Sequence, residues 1–308
     1  MTLSVSMVKE LREKSGAGMM DCKKALLETD GKIEEAIDWL RKQGLSAVAK
    51  KSSRVAAEGL IGVTVKDNQG ALIEINSETD FVARNELFQD FVKTCSDLSL
   101  TCNEDIEILK QMQYPNTGRS VDQELANNIA TIGENMNVRR SKILKVSNGV
   151  ITSYVHNSVA DGLGKLGVLV ALESNGDKDK LSSVGKQIAM HIAATSPKSL
   201  NIEDLDKDEV DRERQVLIDQ AVASGKPKEI AEKMVNGRML KYFQEVVLNE
   251  QVSVIDGETK IKDVVTKLQK DLDTEVKLAG FIFLKLGEGI EVSENDFAAE
   301  VAATAGIK

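Results

Sequence analysis

Few residues in this 308-residue chain could make or break bonds: two histidines, three cysteines and one glycine triplet. His156 and His191 stand apart. Neither lies at a spacing that would build a Ser/His/Asp or Cys/His arrangement, so each is expected to be a hydrogen-bonded core or interface histidine. Cys22, Cys95 and Cys102 are too few and too irregularly spaced for a disulfide framework or a zinc site. They suit a reducing compartment. Gly162-Leu-Gly164-Lys-Leu-Gly167 has the letters of a dinucleotide fingerprint. That fingerprint must follow a strand and open a helix, so that a pyrophosphate meets the helix N-terminus. Here polar loop residues precede it and a strand follows. A hairpin loop is the expectation, and a dinucleotide-binding enzyme is the alternative. With no P-loop and no cluster of metal ligands, no cofactor and no bound metal are expected, and covalent catalysis has no support.

The segment Glu74-Ile-Asn-Ser-Glu-Thr79-Asp80-Phe81-Val82-Ala-Arg84-Asn85 is of a different kind. It joins a buried strand to a helix, and it sets a phenylalanine beside an acid among polar residues. Two readings stand. Phe81 covers the chain's own core, or it is a wedge: an exposed aromatic that enters a partner's pocket while Asp80 perturbs charge there.

The elements around this segment follow from periodicity. Residues 1–44 carry three short helices. The first bears Val5, Val8 and Leu11, the second Met19, Cys22 and Leu26. The third carries a stripe of Ile33, Ala36, Ile37 and Leu40, with Gly44 placed to end it. Residues 45–58 are small, polar and locally basic, a partly helical linker. Strands are expected at 60–66 and 71–76. A helix capped by Asn85 then buries Leu87, Phe88, Phe91, Val92, Cys95 and Leu98. Residues 103–137 are expected to be helical, and Ser120-Val-Asp-Gln123 has capping-box spacing. Strands at 143–147, 151–156 and 166–172 precede a helix at 180–194, so a hairpin followed by a helix occurs twice. Residues 204–248 form two charged helices with narrow apolar seams, Val210, Leu217, Ile218 and Ala221 on one and Ile230, Met234 and Phe243 on the other. Such seams predict an antiparallel coiled-coil arm. A strand at 276–286 follows, then a last helix at 296–303 with Phe297 and Val301 on one side.

Composition agrees with a globular α+β chain of two or three domains. Hydrophobic residues make up 42% and charged residues 29%, while aromatics are only 4%. Forty Lys and Arg against 49 Asp and Glu give a formal charge of −9. That argues against a general nucleic-acid partner, which needs a basic face to displace counterions. No apolar run approaches the roughly 18 residues that cross a bilayer, so no membrane partner is expected. The absence of an apolar signal core predicts a cytoplasmic protein or the processed form of an organellar one.

At Thr79-Asp80-Phe81-Val82, and at the stretch from Leu11 through Arg12, Ser15, Met19 and Met20 to Leu26, the chain resembles the bacterial elongation factor Ts family. Ser15 stands where that family usually has threonine. Further matching stretches are Ile132-Gly-Glu-Asn135, Ile188-Ala-Met-His191, Ser224 to Met234, Gly287-Glu-Gly-Ile290 and Asp296 to Val301. The resemblance implies an N-terminal domain similar to ubiquitin-associated domains (1–53, with the basic linker) and a core of two antiparallel sheet-plus-helix subdomains. These would span 54–140 and 141–291, the second interrupted by the hairpin at about 204–248. A short C-terminal helical module (292–308) would follow. It also implies guanine-nucleotide exchange on elongation factor Tu, with Thr79, Asp80, Phe81 and Val82 dislodging the GTPase's Mg²⁺. Leu11, Arg12, Met19, Met20, His156 and Phe297 would be supporting contacts, and the hairpin would serve a homodimer in some members. A scaffold that binds the GTPase without exchange is the remaining alternative.

Overall fold

The computed structural model describes residues 4–15, 17–225 and 228–291. Three helices come first: α1 (Val5–Ser15), α2 (Met19–Glu28) and α3 (Ile33–Lys51). Then follow β1 (Glu58–Lys66), β2 (Gln69–Ser77), α4 (Glu86–Ser99), α5 (Ile106–Gln111), α6 (Val121–Ile132) and β3 (Met136–Lys145). The chain continues through β4 (Gly149–His156), β5 (Leu163–Gly164), β6 (Leu166–Ser174) and α7 (Lys178–Thr195). It ends its described course with α8 (Lys207–Ala223), α9 (Lys228–Val246), α10 (Ile261–Leu272) and β7 (Val276–Lys285). The strands form two antiparallel sheets, ordered β3-β2-β1-β5 and β4-β6-β7. The chain is thus mixed α and β with its strands antiparallel, as an α+β reading expects. No described helix is long and apolar enough to cross a membrane.

The sheets pack face to face. Ile61 and Leu72 of the first meet Ile151, Leu169, Ala171 and Leu284 of the second. The first sheet's outer face, through Leu60, Ile73, Ile75 and Val138, buries Phe88, Phe91 and Val92 of α4 with Leu109 of α5 and Leu125 and Ile129 of α6. The second sheet's outer face packs Val168, Val170 and Leu172 against α7 and α10. Strands covered on both faces have no solvent side to alternate toward. That explains why 166–172 is one apolar run.

Close packing also accounts for the glycine triplet. Gly162 turns the chain with φ 71°, and a Cβ on Gly164 would come within 2.5 Å of Val155 Cγ1. A Cβ on Gly167 would stand 2.8 Å from Ile61 Cγ2, across the sheet-to-sheet contact. The triplet opens β6 and no helix, so the dinucleotide alternative loses its structural basis.

Several expectations need correction. α3 does not end at Gly44 but runs to Lys51, because the alanine-rich turns after the glycine favour helix and dock on the core. Val48 packs against the first sheet's helices, and Lys51 Nζ donates to Ile129 O at 3.2 Å. Residues 103–137 are two helices joined by a loop, and β3 begins at Met136. The strand therefore runs across the 140/141 division. Val5 and Met19 are exposed instead of buried, since the bundle's inner stripe is Val8, Leu11, Cys22, Ala25, Leu26 and Ala36. Leu87 is also exposed, lying in the first turn of α4 where the sheet ends. In the helical hairpin, α8 contributes Val210, Leu217 and Ala221 to the seam, while α9 contributes Ala231, Val235, Met239, Tyr242 and Phe243. Ile218 and Ile230 face solvent. The buried positions of α9, Ala231, Val235 and Met239, thus fall one residue from the face that Ile230 and Met234 suggest. The helix at 296–303, with Phe297, lies outside the described residues.

One ionic cluster ties the sheets together. Glu74 on β2 has no solvent exposure. Its Oε1 accepts from Arg139 Nη1 (2.9 Å), Gly287 N (2.8 Å) and Asn76 Nδ2 (3.0 Å), and its Oε2 from Arg140 Nε (2.5 Å). Consecutive strand residues normally point to opposite faces. A register shift opposite Glu74 and Ile75 inserts Arg139 as an extra residue, and this bulge lets both guanidinium groups reach one carboxylate. The arginines then bond onward to Glu288 O and Lys285 O, at the end of β7. Burial pushes the Glu74 carboxyl up. Hydrogen bonds from Asn76, Gly287 and Arg140, with the charge of Arg140, outweigh it and hold the group below the usual carboxylate range.

Removing one partner of a buried ion pair leaves the other uncompensated. Glu74→Gln is expected to lower stability at neutral pH by about 3 kcal/mol, the low end of the cost of breaking a buried pair, because both arginines keep some water. Because the folded-state pKa is depressed, the carboxylate's contribution is complete above the ordinary range and lost as pH falls through the folded value. Urea midpoints of the two proteins should therefore converge in acid. Equal midpoints at pH 7 would show that the cluster does not stabilise the fold.

Candidate functional site

The loop between β2 and α4 is fixed at both ends and bare at its tip. At its start, Ser77 Oγ donates to Thr79 O at 3.0 Å. Thr79 then donates twice to one carboxylate, from N to Glu134 Oε2 (3.0 Å) and from Oγ1 to Glu134 Oε1 (2.6 Å). Glu134 is brought there by Gly133, which ends α6 in the left-handed conformation with φ 93°, a geometry that costs glycine least. Asn135 adds a second tie: its N donates to Glu78 Oε1, and its Nδ2 donates to Arg54 O at 2.7 Å.

At the far end a 3-10 turn, Val82–Arg84, is sunk into the core. Val82 and Ala83 are buried with Phe88 and Phe91. Asn85 caps α4, accepting from Leu87 N at 2.9 Å and Phe88 N at 3.4 Å. Arg84 N donates back to Phe81 O at 3.1 Å.

Between these anchors stand Asp80 and Phe81. Asp80 is exposed, and Phe81 is 78% exposed, the one exposed phenylalanine among the described residues. Burying a phenylalanine fully is worth roughly 1.5–3 kcal/mol, and the loop forgoes that gain. Of the two readings left open by the sequence, Phe81 does not cover its own core. An aromatic held outward on a braced loop is suited to entering a pocket on another molecule.

The other candidate residues divide. Val82, at 4% exposure, anchors the loop and offers no free surface. Leu11 is fully buried in the three-helix bundle and can act there only by packing, a correction to its expected place as a contact. Arg12, Met19 and Met20 are exposed. Met20 is 74% exposed at the start of α2. The bundle is tied to the first turn of α6 by Arg119, whose Nη1 donates to Ser15 O at 2.6 Å. His156 is exposed at the end of β4, with Tyr154 Oη 3.2 Å from its Nδ1. It joins the base of the loop through Lys165, which bonds His156 O and pairs with Glu58, opposite Ser77. His191 is buried. Its Nδ1 accepts from Val254 N (3.2 Å) and its Nε2 lies 2.9 Å from Gln251 Oε1, as a core histidine should.

The clamp leaves little mark in the sequence. Glu134 and Asn135 carried no assigned part, although glycine after the last apolar residue of a helix is a C-terminal signal. What the sequence lacked was the 55-residue separation between Thr79 and Glu134.

A family model described as Elongation factor TS matches residues 78–288, a span beginning one residue before Thr79. The elongation factor Ts of Rhodospirillum centenum is 59% identical over 304 residues, covering 99% of each chain. That of Rhodospirillum rubrum is 57% identical over 302 residues, and that of Rhizobium etli 53% over 301, each covering 98% of both chains. A match over most of the length, including the braced loop, places this chain in the elongation factor Ts family.

Proposed function

We propose that the chain is a guanine-nucleotide exchange factor: it binds elongation factor Tu carrying GDP, displaces Mg²⁺ and promotes GDP release during translation elongation. The observation that carries this reading is the outward Phe81 beside the free carboxylate of Asp80, on a loop anchored at both ends. Such a factor breaks no bond. It prefers the empty GTPase to the loaded one, and by linkage nucleotide expels the factor in return.

Magnitudes limit what the loop does alone. Inverting an equilibrium from 1:99 to 99:1 takes about 5.5 kcal/mol of differential binding. One phenylalanine supplies roughly 1.5–3 kcal/mol. The remainder must come from a wider interface. Arg12, Met19 and Met20 on the bundle, His156 at the end of β4 and Phe297 near the C-terminus are the proposed supporting contacts. Thr79 and Val82 hold the tip while Asp80 and Phe81 enter. The metal is a sensible target, since Mg²⁺ neutralises the phosphates that hold nucleotide in place.

The same reading makes the bundle a ubiquitin-associated-type domain within 1–53 and pairs two core subdomains, their division moved from 140/141 to the turn after β3, past Lys145. The α8–α9 hairpin is then a coiled-coil arm available to a second copy, and 292–308 is a C-terminal module. It needs no nucleic acid, membrane or cofactor.

Phe81→Ala is expected to slow GDP release by at least several-fold while the chain stays folded, measured by stopped-flow release of fluorescent GDP from elongation factor Tu. An unchanged rate removes the wedge. A wild-type chain that binds the GTPase without accelerating release leaves only a scaffold. Asp80→Ala should also slow release, with a deficit that varies with Mg²⁺ concentration. A deficit identical at all Mg²⁺ levels would make Asp80 a docking residue.

A further inference from the structure

Glu134 stands two residues beyond α6 and spends both carboxylate oxygens on one residue of the loop. Oε2 accepts from the Thr79 backbone and Oε1 from its hydroxyl, at 3.0 and 2.6 Å. Two bonds from a planar carboxylate fix a partner's orientation as well as its position. Thr79 is two residues from Phe81, and the chain past Phe81 is already fixed by burial of Val82 and Ala83. With the Ser77 hydroxyl on Thr79 O, the clamp therefore closes the side on which the tip could still swing.

We infer that Glu134 is a positioning residue for nucleotide exchange, holding Thr79 so that Asp80 and Phe81 are poised to enter the GTPase. This rests on the exchange reading above and adds to it a residue that lies 53 positions from Phe81 in the chain. Its physical basis is preorganisation. Fixing one loose backbone residue costs roughly a 5- to 30-fold factor in an equilibrium constant. If the loop were loose, that factor would be lost when the tip enters. In this chain it is met during folding, by an acceptor on α6.

The chemistry of the pair sets the variants. Glu134→Ala removes both acceptors. Glu134→Gln keeps one acceptor for the Thr79 N–H, and its amide can donate to the Thr79 hydroxyl, which accepts as readily as it donates. Thr79→Val removes the hydroxyl alone.

The test is the rate of fluorescent-GDP release from elongation factor Tu as a function of exchange-factor concentration. Glu134→Ala should lower the plateau rate by roughly tenfold and leave the half-saturating concentration within about twofold, because the encounter surface is untouched. Glu134→Gln should recover most of the plateau. Thr79→Val should lower the wild-type plateau and have little further effect in the Glu134→Ala background. The inference is overturned if the Glu134→Ala plateau equals that of the wild type. It is overturned equally if the half-saturating concentration rises with the plateau preserved, or if the two single losses add in full, since either pattern means Glu134 touches the GTPase directly. A wild-type chain that does not accelerate release overturns the exchange reading itself and this inference with it. Far-ultraviolet circular dichroism melts of each variant separate loss of the clamp from loss of the fold.

Discussion

A carboxylate without access to water is the constraint around which the core is arranged. Isolated, Glu74 would be too costly to keep ionised. It remains charged because four donors converge on it, two of them cationic. Each donor implies a piece of architecture. The adjacent arginines require the bulge in β3. The Gly287 amide requires the chain to turn back after β7. Asn76 must share the face of β2 that looks toward the second sheet. The ion cluster thereby sets how the two sheets meet at this end, while apolar contact sets it elsewhere.

The exposed tip depends on that arrangement. Three residues past Glu74, β2 ends at Ser77, so the strand that carries the loop is fixed before the loop begins. From there the chain alternates between what it hides and what it shows. Thr79 is turned inward to Glu134, Asp80 and Phe81 are turned outward, and Val82 and Ala83 are turned inward again. An exposed aromatic on a slack loop would collapse onto the nearest apolar surface. Here backbone geometry forbids the collapse, and the forgone burial is offset by the anchors on both sides.

Much of this was legible in the sequence, and the failures have physical causes. The helix stripes, the two hairpin-and-helix units and the Asn85 and Ser120 caps depend on neighbours within about four residues, and sequence periodicity reports those directly. Phe81 stood out because it fell off every stripe, although only the fold could decide which way it pointed. The elements that depart from their local pattern are those whose course distant packing decides. α3 passed Gly44 because α6 offered a surface to continue along. The seam of α9 runs through Ala231, Val235 and Met239, one residue from the bulkier Ile230 and Met234. Glu134 and Glu74 were invisible as sites, since a carboxylate's partners 55 or 65 positions away leave no trace in spacing.

The unbroken course of α3 has a mechanical consequence. The bundle is joined to α6 at two points, by Arg119 at the first turn and by Lys51 near the last, and the clamped loop hangs just past that last turn. α6 has 12 residues and is about 18 Å long. It is therefore pinned to the bundle near both of its ends, and the clamped loop hangs from the chain that leaves it. A helix held in this way cannot slide without breaking one of those bonds, so bundle and loop base keep one fixed spacing.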